Sequence, residues 1–461
     1  MKRGVHISKS EEKELKHRTR RLSIKEGILW SGRASLGDYF VAPFAVFVNM
    51  STPLIAILNS LWSLGPIAQL FGSKKIGKTS RKSILTKTML IDALGWFVLA
   101  LIAFLYLKDI GMTFLPYLII LDIATILLSC GYGHPSWFSW MGDVVDAKYR
   151  GRWFSKRSTI ISFTTIIFAI SASFYVEHAK EIGKTNIAFI ILFLLAFLFR
   201  LYSMFTIRRH YEPELKIGKE KKIPVKKIIE EYKKTNLGKF TIFRGILALI
   251  IGLTSPLISI YLLRYLGLDY VTYMAIYLSG TLFSVITLNL WGKIADKYGN
   301  YRVIALTTII IPFTPILWIL SSSPLYLFIV PAILGGTAWS AFIMASGNFI
   351  YDNTTKKTRG RSISYFNFLT AVGGLVGGLI SSLLIDVIHT TWIEPIPLIF
   401  ISGSILRMFI IGYWVPKLKE IKKKNPLNGL KDIENIILRE VRPTITEDFH
   451  EIGSIGKYLK E

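Results

Sequence analysis

The sequence predicts an all-α integral membrane protein, with twelve transmembrane helices in two pseudo-symmetric six-helix bundles. Three observations carry that reading. The 461 residues are 51% hydrophobic and 13% aromatic with a mean hydropathy of +0.45, too apolar for the soluble domains such a length would otherwise hold. Apolar stretches of about twenty residues, the length that crosses a hydrocarbon core, fill most of the chain, and runs such as 187–199 and 304–320 carry no charge. A motif also recurs. Asp143 with Arg150-Gly151-Arg152 and Ser155, and Asp352 with Arg359-Gly360-Arg361 and Ser364, both read D-x6-R-G-R-x2-S between apolar segments. Identities in one register about two hundred residues apart mark an internal repeat, hence two similar halves.

The spans fall at about 28–48, 53–72, 84–106, 112–133, 156–176 and 187–207, then 240–263, 270–291, 302–321, 324–346, 362–386 and 396–416. All are expected as helices, because an open strand cannot satisfy its backbone in lipid. They group into an N-terminal segment 1–27, a first bundle 28–207, a linker 208–239, a second bundle 240–416 and a basic tail 417–461. Arg200 in span six is matched by Arg407 in span twelve, and Leu70-Phe71-Gly72 by Leu290-Trp291-Gly292. In the tail, Leu430, Ile433, Ile436, Ile437 and Val441 fall near helical spacing. That fits either an amphipathic surface helix or a solvated segment.

The formal charge of +26 would suit nucleic acid were it not distributed by loop. Only Lys108, Lys180, Lys184 and Arg264 fall in one set of connections, while the other set, the linker and the tails hold the remaining basic clusters. The positive-inside rule therefore places both termini in the cytoplasm of a multi-pass cell-membrane protein. No nucleic-acid partner is expected. The single cysteine, Cys130, excludes a disulfide framework, and no cleavable signal peptide is visible. No phosphate loop, nucleophile elbow, HExxH or Cys cluster occurs, so neither an enzyme, a cofactor nor a metal is expected.

Gly292-Lys-Ile-Ala-Asp296-Lys-Tyr-Gly299-Asn-Tyr-Arg302 reads G-x-x-x-D-x-x-G followed by a cation. With six plus six helices, a central linker and termini inside, it resembles the major facilitator superfamily. The first-half equivalent, 72–82, keeps glycines and cations but has no Asp, so a symmetric latch is not expected. Pro135-Ser-Trp137-Phe-Ser-Trp140, leading to Asp143 and the Arg-Gly-Arg motif, is similar to a group of prokaryotic members. The resemblance implies that spans one, four, seven and ten line a central cavity, and that the motif residues act in cytoplasmic gating loops.

Ionisable groups inside a bilayer are expensive, and so are candidates for function. Asp38 lies in span one on a small, polar face with Ser31, Ser35, Ala42, Ala45 and Asn49, and Asp122 lies midway along span four. Both are candidates for proton coupling or for the substrate cavity. The alternative is a structural carboxylate bonded to neighbouring hydroxyls. Arg33 precedes Asp38 by about 140° of ideal helix, so a snorkelling residue is expected rather than that carboxylate's partner. Asp92, Arg200 and Arg407, on spans the resemblance places outside the cavity, are expected to be structural. Arg244 in span seven either attracts an anion or adds to a basic rim. Trp339 with Phe342 forms either an aromatic ligand wall or ordinary packing, and His134 is expected at a helix end. Gly373-Gly374 and Gly377-Gly378 allow close helix approach.

These readings add up to a monomeric secondary transporter of a small solute, working by alternating access with protons as the expected coupling partner. A non-transporting receptor or scaffold on the same fold is the alternative.

Overall fold

The computed structural model describes residues 8–146, 148–215, 235–355, 358–388 and 392–421. The possible tail helix 430–441 and most of the linker lie outside them. Among the described residues the regular elements are all helical, with one isolated bridge between Ile76 and Thr79.

Eleven helices among them are long and apolar enough to cross a membrane. They are Thr52–Ser73, Arg81–Leu107, Leu115–Val144, Arg150–Glu181 and Thr185–Arg208, then Asn236–Tyr265, Tyr270–Tyr298, Asn300–Leu317, Pro324–Asp352, Ser362–Val387 and Pro395–Lys417. They are numbered here as spans two to twelve. Span one is different. A helix Lys9–Leu36 begins well before the predicted boundary at 28, capped by Ser8, and stops at Gly37. A 3₁₀ turn, Asp38–Phe40, and a short helix, Val41–Phe47, complete it. The polar opening turns and the break explain why no long apolar run marks this span.

Two further boundaries move. Span four runs through Pro135 to Val144 rather than ending at 133, so His134 is inside a helix. Span five begins at Arg150, and the helix containing span eleven begins at Arg359. The Arg-Gly-Arg motifs are therefore first turns of helices and not loops.

The chain divides into two compact units: Met1–Lys222 with Ser259–Met274, and Ile223–Ile258 with Ala275–Glu461. The repeat extends to the packing inside each. In the first unit, spans two and four cross so closely that a Cβ on Gly131 would stand 2.2 Å from the Gly65 carbonyl. In the second, spans eight and ten meet alike, with Gly336 at 2.5 Å from the Gly280 carbonyl. Gly373 and Gly377 of span eleven lie against the backbone of span seven at Gly245 and Leu249, so this stripe packs helices within one unit.

The halves also share a clasp. After span six, Glu212 turns back onto the start of span three. Its carboxylate accepts from the Arg81 backbone N–H at 2.7 Å and the Ser80 hydroxyl at 2.6 Å. After span twelve, Glu420 accepts from the backbone N–H of Tyr301 at 2.9 Å, at the start of span nine. A carboxylate at a helix N-terminus satisfies orphan donors and meets the positive end of the helix dipole. Gly299, at φ +102°, leaves room for Glu420, since a Cβ there would fall 2.2 Å from its carboxylate oxygen.

Candidate functional site

The first unit buries a four-charge cluster. Arg33 of span one pairs with Asp38 and, through its other terminal nitrogen, with Asp92 of span three at 2.8 Å. Arg200 of span six lies within ion-pair reach of the second Asp92 oxygen, although its Nε–H is not aimed at it, so that attraction is one of charge. Asp92 also accepts from Trp96 Nε1 at 3.0 Å and from the Cys130 thiol at 3.1 Å. The Arg33 guanidinium lies over the Trp96 ring, 4.8 Å from its centre.

The Arg33–Asp38 pair corrects the sequence expectation that the two point apart. Ideal helix geometry fails here because the helix ends at Gly37, and the 3₁₀ turn swings the next side chain back beneath the guanidinium. Gly37 has no room for a side chain: a Cβ would stand 2.6 Å from the Trp96 ring. Arg33 is thus buried rather than snorkelling, at 3% exposure.

Asp92 is fully buried, whereas Asp38 is about one-seventh exposed, at 15%. Asp38, Arg33, Cys130 and Arg200 together form part of the wall of a cavity of about 520 Å³ inside this unit. Trp62, Gln69 and His134 contribute further wall, so the cavity is mainly apolar with a few convergent polar groups. Glu26 is also in this wall. It accepts from Arg157 at 2.9 Å and Ser203 at 3.0 Å, and sequence reasoning missed it because its helix begins outside any apolar run. Asp122 is buried but takes no part in the wall. It packs towards Gly95 of span three with one oxygen unpartnered, and the Thr125 and Ser129 hydroxyls bond to their own helix instead.

In the second unit, Arg244 lies over the Phe342 ring at 5.4 Å, with one terminal nitrogen unpartnered. Phe342 is fully buried and meets Trp339 edge to face at 5.8 Å. Trp339 and Arg407 share the wall of a second cavity, of about 370 Å³, and Arg244 does not reach it.

Residues 240–447 match the Major Facilitator Superfamily. That match covers the second half of the chain, and the fold is the one shared by solved transporters of this type. Solved structures share the fold over most of the chain. The chain is similar to the nucleoside transporter NupG (16% identity, TM-score 0.60, 88% of this chain and 100% of that one). It is similar to an auto-inhibited POT family peptide transporter (11%, 0.67, 89% and 99%). It also resembles a bacterial homologue of the iron transporter ferroportin in an inward-facing state (12%, 0.63, 87% and 99%). No curated protein sequence matches the chain.

The motif residues lie at helix ends. Arg150 donates to the carbonyls of Gly142 at 2.7 Å and Val145 at 3.4 Å, so the cation opening span five caps the carbonyl end of span four. Asp143 pairs with the buried Arg81, which also reaches Glu212 and the Pro213 carbonyl. Gly151, Gly292 and Gly360 have open space around them, and Arg152 is exposed. In the second half, Arg359 lies over Tyr351 at 4.5 Å, and Asp352 accepts from Asn300 at 2.6 Å. Arg302 donates to the Tyr298 carbonyl at 3.2 Å. Asp296 belongs to the last turns of span eight. The repeat thus preserves the position of the motif at the start of a helix in both halves.

Proposed function

We propose that the chain is a secondary transporter of a small solute, working by alternating access, with Asp38 as its proton-coupling group. One observation carries the reading: Asp38 is the carboxylate of a balanced buried cluster that also borders a cavity. Two arginines face two aspartates, so the cluster is formally neutral with Asp38 ionised. A proton on Asp38 leaves Arg33 and Arg200 sharing the single charge of Asp92, and the cavity wall gains one positive charge. The Arg33 N–H that Asp38 held is released towards the cavity. A solute acceptor can then take the place that Asp38 gave up, which links proton and solute occupancy through one guanidinium. The break at Gly37 lets this rearrangement occur without breaking a regular helix, since the turn already interrupts the backbone ladder.

The test is transport in proteoliposomes of wild type and Asp38→Asn under an imposed pH gradient, with solute exchange measured alongside. The variant should lose proton-driven accumulation and retain exchange. Unchanged accumulation would remove Asp38 from the mechanism. Neither accumulation nor exchange in wild type, for any solute tried across broad chemical classes, would favour the receptor reading.

A further inference from the structure

We propose that the cavity of the second unit is a binding site for the carboxylate of a small organic acid, held by Arg407. The argument begins with the repeat. Arg200 and Arg407 are equivalent residues of spans six and twelve, but their partners are not. Arg200 faces the carboxylate of Asp92 on span three. Arg407 faces Thr314 on span nine, donating to its hydroxyl at 2.9 Å, together with the Thr254 hydroxyl of span seven and, at 3.4 Å, the Ile311 carbonyl. The arginine is kept, but a threonine hydroxyl rather than a carboxylate faces it from the neighbouring span.

A guanidinium stays ionised and carries five N–H donors. Hydroxyls and a carbonyl satisfy some of those donors without balancing the charge, and a buried unbalanced charge is costly. Arg407 is 3% exposed, its Nε has no partner, and no carboxylate among the described residues pairs with it. Its position is fixed by close packing: Gly403, one turn earlier, would carry a Cβ 2.4 Å from the Thr254 methyl. The missing counter-charge therefore has a defined place beside Arg407, Thr254 and Thr314, all of which border the cavity.

The rest of the wall indicates what else the anion carries. Trp318, Trp339 and Tyr277 supply aromatic surface, and about 370 Å³ is enough for a single ring with a carboxylate. Span ten passes the cavity as a π-helical turn, Ala332–Gly336, a local widening often found at binding sites. The site lies wholly within the second unit and is separate from the Asp38 cavity. Binding itself does not depend on the transport reading, and only the description of the acid as a substrate rests on it.

The experiment is thermal unfolding of the full-length protein in phosphatidylcholine nanodiscs, which lack anionic lipid. Sodium benzoate is compared with neutral benzamide and with equimolar sodium chloride. Benzoate should raise the wild-type melting temperature by several degrees, and neither control should do so. Thr314→Asp places a carboxylate against Arg407, as Asp92 does against Arg200 in the first unit. It should melt higher than wild type without ligand and show no benzoate shift. Arg407→Gln should also lose the shift, which covers the case in which Thr314→Asp does not fold. The proposal is overturned by no benzoate shift in wild type, by an equal shift with benzamide or chloride, or by a shift that survives in either variant. Stabilisation by phosphatidylglycerol without any effect of benzoate would assign the arginine to a lipid headgroup and equally sink the proposal.

Discussion

Replacing Asp92 by Asn tests whether the buried cluster holds the first unit together. The amide keeps one oxygen for Trp96 but removes the charge that Arg33 and Arg200 share. Arg33 still has Asp38, so the residue left without a counter-ion is Arg200. Breaking a buried pair by removing one partner costs about 3–5 kcal/mol. At roughly 2–4 °C per kcal/mol for a unit of this size, the melting temperature should fall by about 6–20 °C. Arg200→Gln alone should cost less, about 1–3 kcal/mol, because Asp92 keeps Arg33, Trp96 and Cys130. The double variant is formally neutral again, with Arg33 facing Asp38. It should therefore melt above Asp92→Asn alone, with a coupling of about 2–3 kcal/mol. Tryptophan fluorescence during thermal unfolding in detergent reads all four proteins. If the second substitution adds to the loss instead of reversing it, the charge balance does not hold the cluster together.

Three further outcomes follow from geometry. Gly72→Ala should destabilise strongly, because its Cβ would stand 2.0 Å from the Tyr132 carbonyl oxygen. Gly142→Ala, with open space around it, should be neutral or gain up to about 1 kcal/mol of helix propensity; equal melting temperatures would refute the contrast. Burial holds the His210 imidazole below its ordinary value, with its bond to the Thr206 carbonyl and nearby Glu26 opposing in part. The unfolded chain then takes the proton first, so stability should be full above about pH 6.5 and fall as pH drops through the lower folded value. His210→Gln should flatten that acid limb, and an unchanged slope in pH-dependent melting would refute the assignment. Cysteine labelling in a Cys130→Ser background should reach position 152 only from the cytoplasm and position 184 only from outside; the reverse pattern would overturn the topology.

Apolar length was enough to read the helical character of the chain, because membrane burial imposes it on composition, and the repeated Arg-Gly-Arg motif was enough to read its two halves. The site was only partly legible. Asp38, Asp92 and Arg200 stand out as charges inside apolar runs, but the Arg33–Asp38 pair depends on a helix ending at Gly37, and helical periodicity assumes no such end. Pro135 suggested a terminus where span four continues, since a proline inside a long helix costs hydrogen bonds that tertiary packing can offset. Glu212 and Glu420 passed unnoticed among the charges of the linker and tail, although their separation nearly matches that of Arg200 and Arg407.

Those two glutamates set the smallest pieces into which this polypeptide can be cut for co-expression. A first fragment ending at Arg208, where its last helix stops, would leave the start of span three unclasped and Arg81 without the Glu212 carboxylate and the Pro213 carbonyl. Extending it past Pro213 restores both. A second fragment must likewise include Glu420 rather than finish with the apolar residues of span twelve. The residues that follow each sixth helix are thus structural parts of the half they leave.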